Sequence, residues 1–269
     1  MRLNRFLAAA GLGSRRSCDG LITSGAVVVN GRRIDNLATQ VAPEDDVRVH
    51  GRQIRMARPV YLLFNKPRGY VVTRSDERGR KTIYDLLPQE FSSLFHVGRL
   101  DKESEGLLLM TNDGDIAQRL THPSHEMEKE YEVALDKAYD AAHSAKLIKG
   151  FFIEGGRARF EKIFIMGADR LKVTLRQGLK RQIRVMFYEM GYEVKRLKRI
   201  RIGSITDARI PSGSCRHLTP REIASLASIQ QSPGPAPHSR RRKPTPGSRP
   251  KKASARKPAR KEGSKSPAP

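Results

Sequence analysis

The feature that most limits how this chain can fold is the shortness of its apolar runs. Val60-Tyr61-Leu62-Leu63-Phe64 and Leu107-Leu108-Leu109-Met110 are each bounded by polar positions. Their length suits a buried strand better than a helix. Segment 130–135 alternates, with Tyr131, Val133 and Leu135 on one side, and segment 171–175 alternates likewise. Helical spacing is found at 116–120, 138–148 and 182–190. Strands outnumber helices and their order is irregular. This predicts an α+β domain over residues 58–231 with a mixed, mainly antiparallel sheet rather than a doubly wound one. No apolar run approaches the roughly 20 residues that span a bilayer.

Segment 232–269 differs from everything before it. It holds 12 Lys or Arg against one acidic residue, Glu262, and 9 of the chain's 16 prolines, with no Ile, Leu, Val, Phe or Tyr. Nothing there can offset the entropy of ordering a backbone, so a disordered basic tail is expected. The tail carries +11 of the chain's +24, which leaves +13 on residues 1–231. A polyanion is the natural partner. Nucleic acid is favoured over an anionic membrane surface, and no membrane association is expected. Cys18 and Cys215 match neither a zinc spacing nor a disulfide framework. A reducing compartment follows, and with no secretory leader pattern behind Met1 the expected location is the cytoplasm.

Residues 1–57 read as a separate small module. Leu3, Phe6 and Leu7 recur at helical spacing before Gly11 and Gly13, and Ser14 suits the N-cap of a second helix. Val27-Val28-Val29 followed by Asn30-Gly31 is a strong hairpin signal, and a short strand over 47–50 follows. Taken with Gly13-Ser14-Arg15-Arg16 and Gly25, this stretch resembles the alpha-L (ribosomal-protein-S-four-like) RNA-binding domain. The resemblance implies that Arg15, Arg16, Arg32 and Arg33 grip the RNA backbone, where phosphate contacts dominate affinity.

The run His96-Val97-Gly98-Arg99-Leu100-Asp101-Lys102-Glu103-Ser104-Glu105-Gly106-Leu107 places three carboxylates in a polar loop before an apolar strand. From the residues alone it is either a charged surface loop or a loop projecting one carboxylate into a site beside Arg99. It closely resembles the catalytic motif of RNA pseudouridine synthases of the ribosomal small-subunit type, with Ser104 where that family often has threonine. The resemblance implies that Asp101 is the catalytic carboxylate. Glu128-Lys129-Glu130-Tyr131-Glu132-Val133 and Gly178-Leu179-Lys180-Arg181-Gln182-Ile183-Arg184 resemble two further family segments, and Asn65-Lys66-Pro67-Arg68-Gly69 a third. They imply that Tyr131 is the active-site tyrosine, that Arg184 pairs with Asp101, and that Leu197 packs on the tyrosine ring. Arg99 and Arg181 are further RNA-contact candidates. Within the family the likeness is to the large-subunit branch, and in particular its F sub-family.

The implied reaction detaches uracil from ribose, turns it over and rejoins it through carbon. It is redox-neutral, which suits a sequence with no Gly-rich phosphate cradle and no metal-ligand cluster; no cofactor and no metal are expected. The target base must leave its stack to reach Asp101, and Tyr131 offers it a flat face. The expected substrate is rRNA, most of all that of the large subunit, with a tRNA also admitted. Assembly intermediates are candidate partners, and a monomer is expected. Two rivals stand beside this reading. A glycosidase needs two carboxylates in distinct environments and sugar platforms, and the chain has no Trp. A non-catalytic RNA-binding or ribosome-assembly factor explains the charge but not Asp101, Tyr131 and Arg184 together. Small-subunit rRNA is the alternative target.

Overall fold

The computed structural model describes residues 1–122, 127–206 and 209–228. The segment 232–269, expected to be disordered, lies outside them.

The chain opens with helices α1 (Leu3–Ala9) and α2 (Arg15–Thr23). Helical spacing turns Leu3, Phe6 and Leu7 inward. Ser14 caps α2, its Oγ accepting the Ser17 N–H at 3.1 Å. Strand β1 (Val27–Val29) turns into β2 (Arg32–Ile34) through Asn30 and Gly31, at φ 50 and 79. Both lie in the left-handed region that a tight two-residue hairpin turn requires. Strands β3 (Val47–Val49) and β4 (Arg52–Gln53) complete an antiparallel sheet of order β2-β1-β3-β4. Leu3, Leu7, Ile22, Val27 and Val47 are fully buried between helices and sheet.

The second body is built on a nine-stranded sheet and a two-stranded hairpin. In chain order come β5 (Tyr61–Lys66), β6 (Phe95–Val97), β7 (Glu105–Thr111), α3 (Gly114–Thr121), β8 (Lys129–Leu135) and α4 (His143–Lys149). The hairpin β9 (Phe151–Ile153) and β10 (Gly156–Ala158) follows, then β11 (Lys162–Ile165), β12 (Arg170–Leu175) and α5 (Gln182–Tyr188). The last elements are β13 (Val194–Ile202), β14 (Ile205–Thr206), β15 (Cys215–His217) and α6 (Pro220–Ser228). The main sheet runs β11-β12-β8-β13-β7-β5-β15, with β14 on β13 and β6 on β7. Every pair in it is antiparallel except β13 with β7. The mixed, mainly antiparallel α+β architecture is therefore the one expected.

The uninterrupted apolar runs of β5 and β7 arise because both faces of the central sheet are covered. Leu62, Phe64, Leu108 and Met110 join one core with Leu147, Ile183 and Phe187. Leu63, Leu107 and Leu109 face the other, with Ile116, Leu120 and Leu226. Among the departures from expectation, two stand out. Helix α4 starts at His143 rather than near 138, because Asp140 and Tyr192 hold the preceding turn. Asp140 Oδ1 accepts the Ala142 N–H at 2.9 Å and Tyr192 Oη accepts the Asp140 N–H at 2.9 Å. Strand β13 is the second: it was not expected, yet it is the longest strand described and lies at the centre of the sheet.

Candidate active site

The sequence places Asp101 between two anchors. Leu100 is buried in the core, and Glu105 begins strand β7. Between them, residues 101–104 form a tight turn with the Ser104 N–H donating to the Asp101 carbonyl at 3.0 Å. The next three carbonyls are also held. Lys66 Nζ donates to Lys102 O at 3.2 Å and to Ser104 O at 2.7 Å, and the Gly69 N–H reaches Lys102 O at 2.8 Å. Arg184 Nη2 donates to Glu103 O at 3.2 Å. Four successive carbonyls thus have donors, and Arg68 holds the Glu103 carboxylate at 2.7 Å. On the other flank His96 Nδ1 lies 2.8 Å from Gly98 O, an acceptor, so the ring nitrogen carries the proton. Burial pushes the His96 imidazole down from its ordinary value, against the pull of its bond to Gly98 O.

Lys66 is fully buried at the end of β5, with a third bond to Pro67 O at 2.9 Å. Burial pushes its ammonium down to about 8, against the pull of Glu103, Asp101 and Glu105. Ser104 is buried too, and its hydroxyl has no partner among the described residues.

Asp101 opens onto a cleft of about 570 Å³. The cleft walls carry Arg78, Arg80, Arg99, Lys102, Lys180 and Arg181. Its loop wall is pinned by Asp76, which takes both Nε and Nη2 of Arg80 and the Arg80 N–H. These bonds hold the Asp76 carboxyl down at about 2. A half-exposed carboxylate in a basic cleft is arranged to meet a polyanion and to act on one group of it.

Arg184 does not pair with Asp101 in the way expected. Its Nη1 donates to Val194 O at 2.6 Å and its Nη2 to Glu103 O, so the guanidinium ties α5 and β13 to the loop. Burial and the charge of Arg181 push Arg184 down from its ordinary value, while Asp101 and Glu103 pull it back. Among the described residues, the cation within ion-pair reach of Asp101 is Arg181, with Nη1 to Oδ2 at 3.8 Å. Arg181 stands at the N-cap of α5 with φ 53, a left-handed conformation uncommon for arginine.

Tyr131 and Leu197 do not line the cleft but share a core with Leu100, which does. Tyr131 projects from β8 into the core that also holds Leu100, and is 7% exposed. Leu197 joins the same core from β13, opposite Val133, two positions from the Tyr131–Arg199 pair. Arg99 and Arg181 line the cleft with Asp101. Arg15, Arg16, Arg32 and Arg33 sit on the N-terminal module, away from those walls, and are exposed. Arg33 is partly committed, its Nη2 donating to Ser24 O at 3.1 Å. No role was assigned from sequence to Lys66, His96 or Arg199. Lys66 closes an apolar strand inside a quoted motif, but only the fold shows what lies above its amine.

A family model described as RNA pseudouridylate synthase matches residues 60–189, and one described as S4 domain matches residues 1–47. A Bacillus subtilis protein named ribosomal large subunit pseudouridine synthase B is 34% identical over 85% of this chain and 96% of its own. A Vibrio cholerae protein of the same name is 36% identical over 85% of this chain and 74% of its own. An uncharacterized RNA pseudouridine synthase of Mycobacterium leprae is 38% identical, covering 84% and 92%. Both named relatives carry the letter B rather than F. A crystal structure of a pseudouridylate synthase superposes with a TM-score of 0.62 at 29% identity, over 84% of this chain and 99% of that one.

Proposed function

The chain belongs to the RNA pseudouridine synthase family, and from that premise we propose that it isomerises a uridine of large-subunit ribosomal RNA with Asp101 as the catalytic carboxylate. The observation that carries the assignment is the loop 101–104, whose four carbonyls all have donors while the side chain of Asp101 is left facing a basic cleft. Preorganisation of this kind costs nothing at the moment of reaction.

Uracil must leave C1′ of its ribose, turn and rejoin through C5, and a proton must leave C5. One ionised carboxylate serves each candidate route, as nucleophile or stabilising charge first and as base afterwards. The cleft cations receive phosphates on either side of the extruded nucleotide, among them Arg99, next but one to Asp101. Arg181 screens Asp101 in the free protein and is half exposed, within reach of a phosphate. Tyr131 and Leu197 share a core with Leu100 of the cleft, and on this reading a seated uracil packs against the Tyr131 ring. The N-terminal module, residues 1–57, sets the register of a folded RNA, the catalytic domain spans 58–231, and the basic segment 232–269 adds non-specific affinity. A cytoplasmic monomer acting on free rRNA or on an assembly intermediate is the setting this reading assigns.

The test is tritium release from uracil-labelled rRNA by the full chain and by Asp101→Asn, with the products mapped by position. The parent should release tritium at a large-subunit uridine. The variant should bind RNA as tightly and turn over at no more than about a hundredth of the parental rate, the usual penalty for losing a base or nucleophile. Substantial release by the variant removes Asp101 from the role. Modification confined to tRNA or small-subunit rRNA overturns the target.

A further inference from the structure

Arg199 is 4% exposed, less than any other arginine among the described residues. Its Nε donates to Leu107 O at 2.6 Å, and its Nη1 lies 3.5 Å from Tyr131 Oη. The guanidinium carbon stands 6.0 Å from the centre of the Tyr131 ring. Its Nη2 is buried with no partner, and no carboxylate lies within ion-pair reach of it among the described residues. Burying a guanidinium without a counter-charge is costly, and an apolar side chain of similar volume would serve the core as well or better. Core stability therefore does not account for this residue.

Its place in the sheet does. Arg199 is opposite Tyr131 across the β8–β13 ladder and beside Gly106 across the β13–β7 ladder. Gly106 has φ +103, and a Cβ there would stand 2.2 Å from the Arg199 carbonyl oxygen. The two strands meet this closely only because residue 106 has no side chain. Arg199 is thus the link between the strand bearing Tyr131 and the strand that continues the Asp101 loop.

We infer that Arg199 is a positioning residue for the isomerisation: by donating to Oη it fixes the phenol end of Tyr131, and with it the ring face offered to the base, relative to the Asp101 loop. The inference rests on the pseudouridine synthase reading of the same site. An ångström of freedom at a group in contact with the reacting base is enough to slow the chemistry.

The experiment compares the parent, Arg199→Met, Tyr131→Phe and the double variant as full chains. Single-turnover tritium release, RNA affinity and urea unfolding are measured for each. Arg199→Met should slow turnover roughly 100-fold, the scale of a one-ångström misplacement. RNA affinity should be unchanged, and the unfolding midpoint should stay near the parent's, because removal of a buried charge offsets the donor withdrawn from Leu107 O. The double variant should be no slower than the slower single, since both changes break one contact. A purely structural role would make turnover follow stability, which this pattern does not. Parental turnover in Arg199→Met, or losses that multiply in the double variant, overturns the inference. Should Arg199→Met fail to fold, Arg199→Lys decides. It keeps the charge but cannot span Leu107 O and Tyr131 Oη together, so it should fold and lose at least about tenfold in rate; parental turnover there overturns the inference. A parent that releases no tritium overturns the activity and this inference with it, whereas an active parent beside an unimpaired Arg199→Met overturns this inference alone.

Discussion

Replacing Lys66 by methionine tests whether a desolvated ammonium truly underlies the Asp101 loop. Lys66 is fully buried, and burial pushes it down from 10.5 to about 8 in the folded chain. In the unfolded chain it returns to its ordinary value. Between about pH 8 and 10.5 the unfolded chain therefore holds a proton that the folded chain has released. Stability from this group rises with pH across that window and is lowest below it, where both states are protonated. At about 1.4 kcal/mol per pH unit, the drop corresponds to about 3 kcal/mol. Methionine fills a similar volume and does not titrate. The assay is urea unfolding of parent and Lys66→Met at several pH values from neutral to 10.5. The stability difference, parent minus variant, should grow towards high pH by up to about 3 kcal/mol. Other groups cancel in the difference, including Lys129, which burial also pushes down to about 8. At neutral pH the variant leaves up to three carbonyls without their amine donor, each costing about 1–3 kcal/mol. Turnover should fall with the loosened loop. A difference that stays flat or shrinks as pH rises would refute the reasoning.

Arg184→Lys keeps the charge but reaches only one of Val194 O and Glu103 O, so it should lose about 1–3 kcal/mol in unfolding free energy and turn over well below the parent; parental activity would show that the two-carbonyl clamp is dispensable. Gly106→Ala forces a Cβ against the Arg199 backbone at positive φ, and strain with overpacking should cost about 2–6 kcal/mol in urea unfolding. Neutralising Arg15, Arg16 and Arg32 to glutamine should weaken binding to all RNAs alike, and each lost phosphate contact should make the salt slope of log K shallower by roughly 0.7–0.9; a loss confined to one RNA sequence would argue for base reading instead.

The sequence made legible whatever announces itself locally. Ser14 as a cap, Asn30-Gly31 as a turn, and the apolar strands 60–64 and 107–110 are all found where local rules put them. The loop carrying Asp101 is contiguous in sequence, which is why its motif could be read as one stretch. Strand β13 was not legible, because Val-Lys-Arg-Leu-Lys-Arg-Ile-Arg-Ile carries so many cations that it does not read as the centre of a sheet. Those cations are placed by partners distant in sequence: Arg196 on Glu105, Arg201 on Glu128 and Glu130, and Arg199 on Leu107 O. The exchange of Arg184 for Arg181 beside Asp101 escaped for a similar reason. Three residues apart at the start of one helix, the two are separated by which way the left-handed turn at 181 aims each guanidinium. Spacing alone carries no record of that.

The lone parallel ladder, Glu105 with Lys198 and Gly106 with Arg199, also dictates the order in which the chain can be completed. The N-terminal module closes through neighbours in sequence and needs nothing beyond Gln53 to finish its sheet. The catalytic sheet cannot close until β13 arrives and inserts between β8 and β7, strands that have waited unpaired along that edge since much earlier in synthesis. Such long-range closure is slow, and domains near the N-terminus form first as a chain grows. A nascent chain halted before Val194 therefore carries a finished N-terminal module beside an open sheet, with Asp101 present in sequence but without the strand that ties its loop to Tyr131.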